Sequence, residues 1–106
     1  MDDKEFQTRA DEALKDLYDR LGRAMEDHPI EADFNAGALA IEFEDSSTKF
    51  VVSPNAPVKQ IWVSAHMKSY KLDWDPERRA FVTGGKTLVE IIDDAVGKQL
   101  GTKVEL

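Results

Sequence analysis

The chain has 106 residues, a hydrophobic fraction of 42%, no cysteine, and 21 acidic against 14 basic residues for a formal net charge of −7. That length and composition predict one domain, residues 1–106, with one core, and exclude a disordered chain. Without cysteine there are no disulfides, thiolate metal sites or cysteine nucleophiles, and the acidic excess argues against nucleic acid, whose phosphates are held by Lys and Arg. No apolar run reaches membrane-spanning length, and the start Met1-Asp2-Asp3 is neither a signal peptide nor an Arg-rich transit segment. The expected setting is therefore cytoplasmic, with no membrane partner; a mitochondrial matrix location fits only if a transit segment has been removed.

From Asp3 to about Met25, Phe6, Ala10, Leu14, Leu17 and Leu21 recur every three or four residues, with Ala13 beside them. This predicts an amphipathic helix. Glu12, Asp16 and Asp19, spaced four and three apart, line up along its polar side, flanked by Arg9, Arg20 and Arg23. His28-Pro29 ends the helix, since a residue before proline leaves the helical region.

Six strands are expected next. Ile30, Ala32 and Phe34 alternate inward, with Glu31 and Asp33 outward. Asn35-Ala36-Gly37 supplies a turn, and Leu39, Ile41 and Phe43 form the inward phase of the second strand. The third strand covers Lys49 to Val52 and is closed by the loop Ser53 to Pro57, which carries two prolines. In the fourth, Ile61 and Val63 share one phase while Gln60, Trp62 and Ser64 share the other, which places a large aromatic among polar neighbours. Tyr70 to Trp74 and Ala80 to Thr83 complete the set.

Gly84-Gly85-Lys86-Thr87 lacks the earlier glycine of a phosphate loop. Thr87 and Glu90 instead have capping-box spacing for a helix that turns Leu88, Ile91, Ile92, Ala95, Val96 and the Gln99-Leu100 end toward the sheet and leaves at Gly101. Val104 and Leu106 are expected to cover the open end of the helix pair. The fold class is α+β: a two-layer α/β sandwich, with two terminal helices on one face of an antiparallel sheet of about six strands. Trp62 then lies on the face the helices leave open.

For catalysis the residues offer little. His28 and His66 lie in loops and no serine sits in a nucleophile elbow, so no enzyme is expected. Asp16, Asp19, Asp27, Glu31 and Asp33 form one acidic surface, provided the first strand lies beside the first helix at the sheet edge. Carboxylates on an open surface suit oxygen-loving cations, held weakly and hydrated.

Asn35-x-Gly37-x-Leu39, then Pro57-x-Lys59-Gln60-Ile61-Trp62-Val63-Ser64, then Asp73-Trp74, then Leu88-x-Glu90-Ile91-Ile92 resemble the frataxin family, most closely its bacterial CyaY-type form, over essentially the whole chain. The resemblance implies a frataxin-like fold and an iron-binding protein of iron–sulfur cluster assembly, monomeric without iron. It implies docking on a complex of cysteine desulfurase and cluster scaffold. By position, iron as Fe²⁺ or Fe³⁺ would lie on Glu12, Asp16, Asp19, Asp27, Glu31 and Asp33, and the partner contact would fall on Trp62, Gln60, Asn35 and Lys59. The chain departs from the family where a dense acidic run is common, having Tyr18, Gly22, Arg23 and Met25 there, and has Ser53 where Asn is common. An acidic adaptor or specialised chaperone for a basic partner without metal shares the charge and the open Trp; a third reading, a ferroxidase-type enzyme, has no pre-formed site in the sequence.

Overall fold

Phe6, Ala10, Leu14, Leu17, Leu21 and Ala24 are all buried along one side of an α-helix, α1 (Asp3–Ala24), as their spacing requires. The computed structural model describes residues 1–106. Asp2 caps α1 by accepting the Glu5 N–H at 2.7 Å, satisfying one of the free donors at the helix start.

The strands follow as β1 (Ile30–Asn35), β2 (Ala38–Phe43), β3 (Lys49–Asn55), β4 (Gln60–Ala65), β5 (Lys68–Asp75), β6 (Ala80–Thr83) and β7 (Lys86–Thr87), and α2 (Leu88–Leu100) closes the chain. Consecutive strands pair antiparallel in the order β1-β2-β3-β4-β5-β6-β7, a meander with β1 and β7 at its edges. Both helices cover one face, where Ile30, Ala32, Leu39, Ile41, Phe43, Phe50, Val52, Ile61, Val63, Leu72 and Phe81 join the buried stripes of α1 and α2 in one core. The expected α+β sandwich is the observed one.

The sheet has seven strands rather than about six. Gly84 and Gly85 both take positive φ (56° and 79°) and turn the chain so that Thr87 pairs with Val82. A two-residue strand carries no periodicity, so the pattern does not reveal it. β3 also runs on to Asn55, through the expected proline loop. Pro54 has no N–H to give, and it sits where the β2 pairing has already ended, with Ile61 of β4 opposite it. Phe34 has the inward phase expected of it, yet 48% of it is exposed. At the sheet edge Tyr18 of α1 leans over it, ring centroids 5.1 Å apart, without covering it.

The β4–β5 turn is strained, because His66 and Met67 both hold left-handed φ (51° and 63°) without being glycine. Such residues cost roughly 1–2 kcal/mol each. The His66 ring offsets part of that by packing edge-on to Phe50 at 4.9 Å and by sharing a 3.0 Å hydrogen bond with Gln99 of α2.

α2 begins with the expected capping box: the Thr87 N–H donates to Glu90 Oε1 at 2.9 Å, and the Glu90 N–H donates to the Thr87 hydroxyl at 3.3 Å. The Thr87 backbone donor, then its side chain, then nearby Arg78 hold the Glu90 carboxyl below its ordinary value. A carboxylate whose folded pKa is depressed contributes stability above its unfolded pKa and loses it as pH falls through the folded one. Acidification below about pH 4.3 should therefore lower the melting temperature of the parent more steeply than that of Glu90→Gln, whose amide oxygen accepts the same N–H at every pH. Parallel slopes in thermal melts across that range would remove the carboxylate from the cap's energetics. Past α2, Gly101 closes the helix at φ 74°, and the Leu106 N–H donates to Asp93 at 2.9 Å while its carbonyl accepts from Arg20 at 3.2 Å. Val104 and Leu106 pack, half-buried, against the core at the open end, as expected.

Candidate functional site

Strand alternation with Ile61 and Val63 buried sends Gln60, Trp62 and Ser64 to the open face of β4. Register then decides their neighbours. Trp62 stands between Ser53 on β3 and Lys71 on β5, while Gln60 stands between Asn55 and Asp73. The Trp62 indole N–H donates to Gln60 Oε1 at 2.9 Å, and the Gln60 amide donates onward to Asp73 Oδ1 at 3.0 Å. The Lys71 ammonium lies 4.8 Å from the Trp62 ring centroid, a cation–π distance.

The result is a Trp that is 36% exposed and yet held from two sides. Beside it lies a shallow hollow of about 200 Å³ bounded by Val51, Ser53, Ser64 and Ser69. Such a face can seat an apolar side chain of a partner against a fixed aromatic, with a carboxylate and an ammonium at its border. Asn35 shares this face from the far edge, opposite Ala38. Lys59 does not. In the left-handed region (φ 53°), it pairs instead with Asp3 at the start of α1, 3.2 Å away, and so ties the chain before β4 to the helix layer.

The acidic residues are divided by the same geometry. β1 lies at the sheet edge and packs beside α1, as the single acidic surface requires. But Ile30 and Ala32 face the helices, so Glu31 and Asp33 leave from the opposite side of the sheet, away from the outward row of α1. Glu12 is 3.6 Å from Arg9, and Asp16 is 2.8 Å from Arg20. Asp27 lies in the turn after α1, on a hollow shared with Arg20, Arg23 and the C-terminal residues. Asp19, Asp27, Glu31 and Asp33 are exposed and in no ion pair. No three His, Asp or Glu side chains converge closely enough to hold a metal ion together. The donor chemistry suits iron, but the carboxylates form no closed set, so any cation would be held by one or two of them and by water.

With this geometry in place, the comparisons with known proteins decide the family. The Frataxin-like domain family matches residues 1–102. The chain belongs to the frataxin family. Among the relatives of this frataxin-family chain is the iron-sulfur cluster assembly protein CyaY of Tolumonas auensis, 31% identical over 108 residues, which span 100% of this chain and 99% of that protein. A solved frataxin from Psychromonas ingrahamii superposes with a TM-score of 0.75 over 97% of this chain and 95% of that one, at 24% identity, which supports the fold.

Reading the sequence for site residues missed Lys71 and Asp73. Both are outward residues of β5, two apart and recognisable as such, but which of them meets Trp62 depends on the β4–β5 register. The expected connection ran from His66 to Ser69 with the strand starting at Tyr70, whereas β5 starts at Lys68, and the resulting two-residue turn at His66-Met67 sets the register.

Proposed function

We propose that this frataxin-family chain is a non-enzymatic accessory protein of iron–sulfur cluster assembly that docks on the complex of cysteine desulfurase and cluster scaffold. The observation that carries the reading is Trp62: an aromatic on the open sheet face, kept in one orientation by Gln60 and Lys71. A large side chain ordered before association loses little freedom on binding, which is what makes Trp an effective interface anchor. The exposed carboxylates supply a complementary field for a basic partner surface, and the net charge of −7 extends it.

Iron enters as cargo rather than as a resident cofactor. Asp19, Asp27, Glu31 and Asp33, exposed and unpaired, are the carboxylates best able to take it. Asp16 joins them only by giving up its arginine. Anaerobic titration with Fe²⁺ should perturb the amide signals around Asp16, Asp19, Glu31 and Asp33 and leave α2 unchanged; uniform or absent perturbation would remove iron from the proposal.

One observation favours a second reading, an acidic adaptor that needs no metal: Glu12 and Asp16 already spend their charge on Arg9 and Arg20. Measuring association with the desulfurase–scaffold complex with and without Fe²⁺, at low and high salt, separates the two. Binding that weakens with salt but ignores iron selects the adaptor.

A further inference from the structure

β5 has two unequal neighbours. It pairs with β4 from Lys68 to Asp73, but with β6 only from Asp73 to Asp75. Gly84 and Gly85 turn the chain back into β7 before β6 can continue along it. Lys68 to Leu72 therefore have a strand on one side only.

Register decides which backbone groups are left over. The two-residue turn at His66-Met67, with both residues left-handed, makes Ala65 and Lys68 its hydrogen-bonded closing pair. Such pairs alternate along an antiparallel ladder. Lys68, Tyr70 and Leu72 thus turn their N–H and C=O groups to β4, and Ser69 and Lys71 turn theirs away from it. The next pair on the β6 side would join Lys71 to Gly84, and no backbone hydrogen bond does so.

Side chains set what this edge admits. On the helix side Lys68, Lys86 and Lys98 line a hollow of about 210 Å³ beside Tyr70. Asp94 is the only acid in that lining, and Lys86 already holds it at 2.6 Å. Lys68 and Lys98 make no ion pair. On a chain of net charge −7, this edge is a locally basic stretch. Lysines along an edge repel a basic strand and favour one that carries carboxylates.

We propose that the free edge of β5 takes up a short acidic segment of a partner protein as an added strand. The outward N–H and C=O groups of Ser69 and Lys71 pair with its backbone, and its carboxylates lie toward Lys68 and the hollow. The segment runs only along Lys68 to Leu72, because β6 occupies the edge from Asp73 onward. Trp62 serves a sheet face and this site a sheet edge, so either can fail without the other.

The test is an amide NMR titration of isotope-labelled protein with the peptide acetyl-Glu-Val-Glu-Val-Glu-amide. Two controls accompany it: the same peptide with Lys in place of Glu, and its fully N-methylated form, which keeps the charges but has no backbone N–H. The expected result is saturable shifts and slowed hydrogen exchange at the Ser69 and Lys71 amides, with at least roughly tenfold weaker binding of both controls. Lys68→Glu should weaken the acidic peptide by roughly tenfold with an unchanged melting temperature. Ser69→Pro removes an outward donor and leaves the β4 ladder intact, so it should weaken binding as much. If that proline lowers the melting temperature, Lys68→Glu decides. Absence of saturation, equal binding of the N-methylated peptide, or a Lys68→Glu protein that binds like its parent would each overturn the proposal.

Discussion

Trp62→Ala should weaken association with the desulfurase–scaffold complex about thirtyfold, the roughly 2 kcal/mol expected of an aromatic anchor at an interface centre, while leaving the fold standing. The first half follows from the ring's exposure and fixed orientation. The second follows from what the ring touches: one hydrogen bond to Gln60 and one ammonium over its face, both at the surface, together worth about 1–2 kcal/mol. Isothermal titration of the complex and thermal unfolding of the free variant measure the two halves separately. Unchanged affinity would take Trp62 out of the interface, and a stability loss of core size would mean the ring supports the sheet. Lys71→Gln offers a finer check. It removes one of the two restraints and should weaken binding by a smaller factor, because the indole then has to be ordered on association.

The opposite expectation holds on the other face of the sheet. Phe81→Ala should cost about 3–5 kcal/mol of folding stability, a large share of the roughly 5–15 kcal/mol available to a small domain. Phe81 is 1% exposed and meets Phe6 of α1 edge-on at 5.9 Å and Trp74 of β5 at 5.2 Å. It therefore ties the first helix to the strands near the far edge, and its removal leaves a cavity that three separate elements would have to move to fill. Urea unfolding followed by far-ultraviolet circular dichroism gives the number. A loss below about 1 kcal/mol would mean that Leu88 and Trp74 close over the gap. Trp62 and Phe81 are both large aromatics in strands. The side of the sheet each faces gives one an interface role and the other a core role.

That side could be read from Gln60-Ile61-Trp62-Val63 alone, because alternation is a property of the extended backbone and needs no partner strand. The α1 stripe, the Thr87–Glu90 capping box and the Gly101 exit could be read for the same reason: each depends on residues within a turn or two of one another. The family resemblance rested on short motifs, chiefly Lys59-Gln60-Ile61-Trp62 with Asn35-x-Gly37, Asp73-Trp74 and Leu88-x-Glu90-Ile91-Ile92, and the comparisons bear it out. Phe34 shows the limit of a phase argument. Its phase points inward, but burial also requires something to cover it, and at the edge strand the Tyr18 ring leaves about half of it open. The acidic surface shows the same limit from the other side. Glu12, Asp16 and Asp19 do share a row, and Glu31 and Asp33 do project outward, but outward from β1 is the opposite side of the sheet from outward on α1. Lys59 directly precedes the open-face residues of β4 in sequence, but its left-handed backbone turns it toward Asp3.

Element type, the buried stripes and the side of the strand on which Trp62 stands come from short-range chemistry, the pitch of a helix and the pleat of a strand acting on adjacent residues, whereas its exposure follows from both helices covering the other face. The pairing of Trp62 with Lys71, the link from Gln60 to Asp73, the seventh strand and the contact of Arg9 with Trp74 come from register and layer packing. Those bring together residues as distant in the chain as Arg9 and Trp74, and no local pattern encodes where such partners meet.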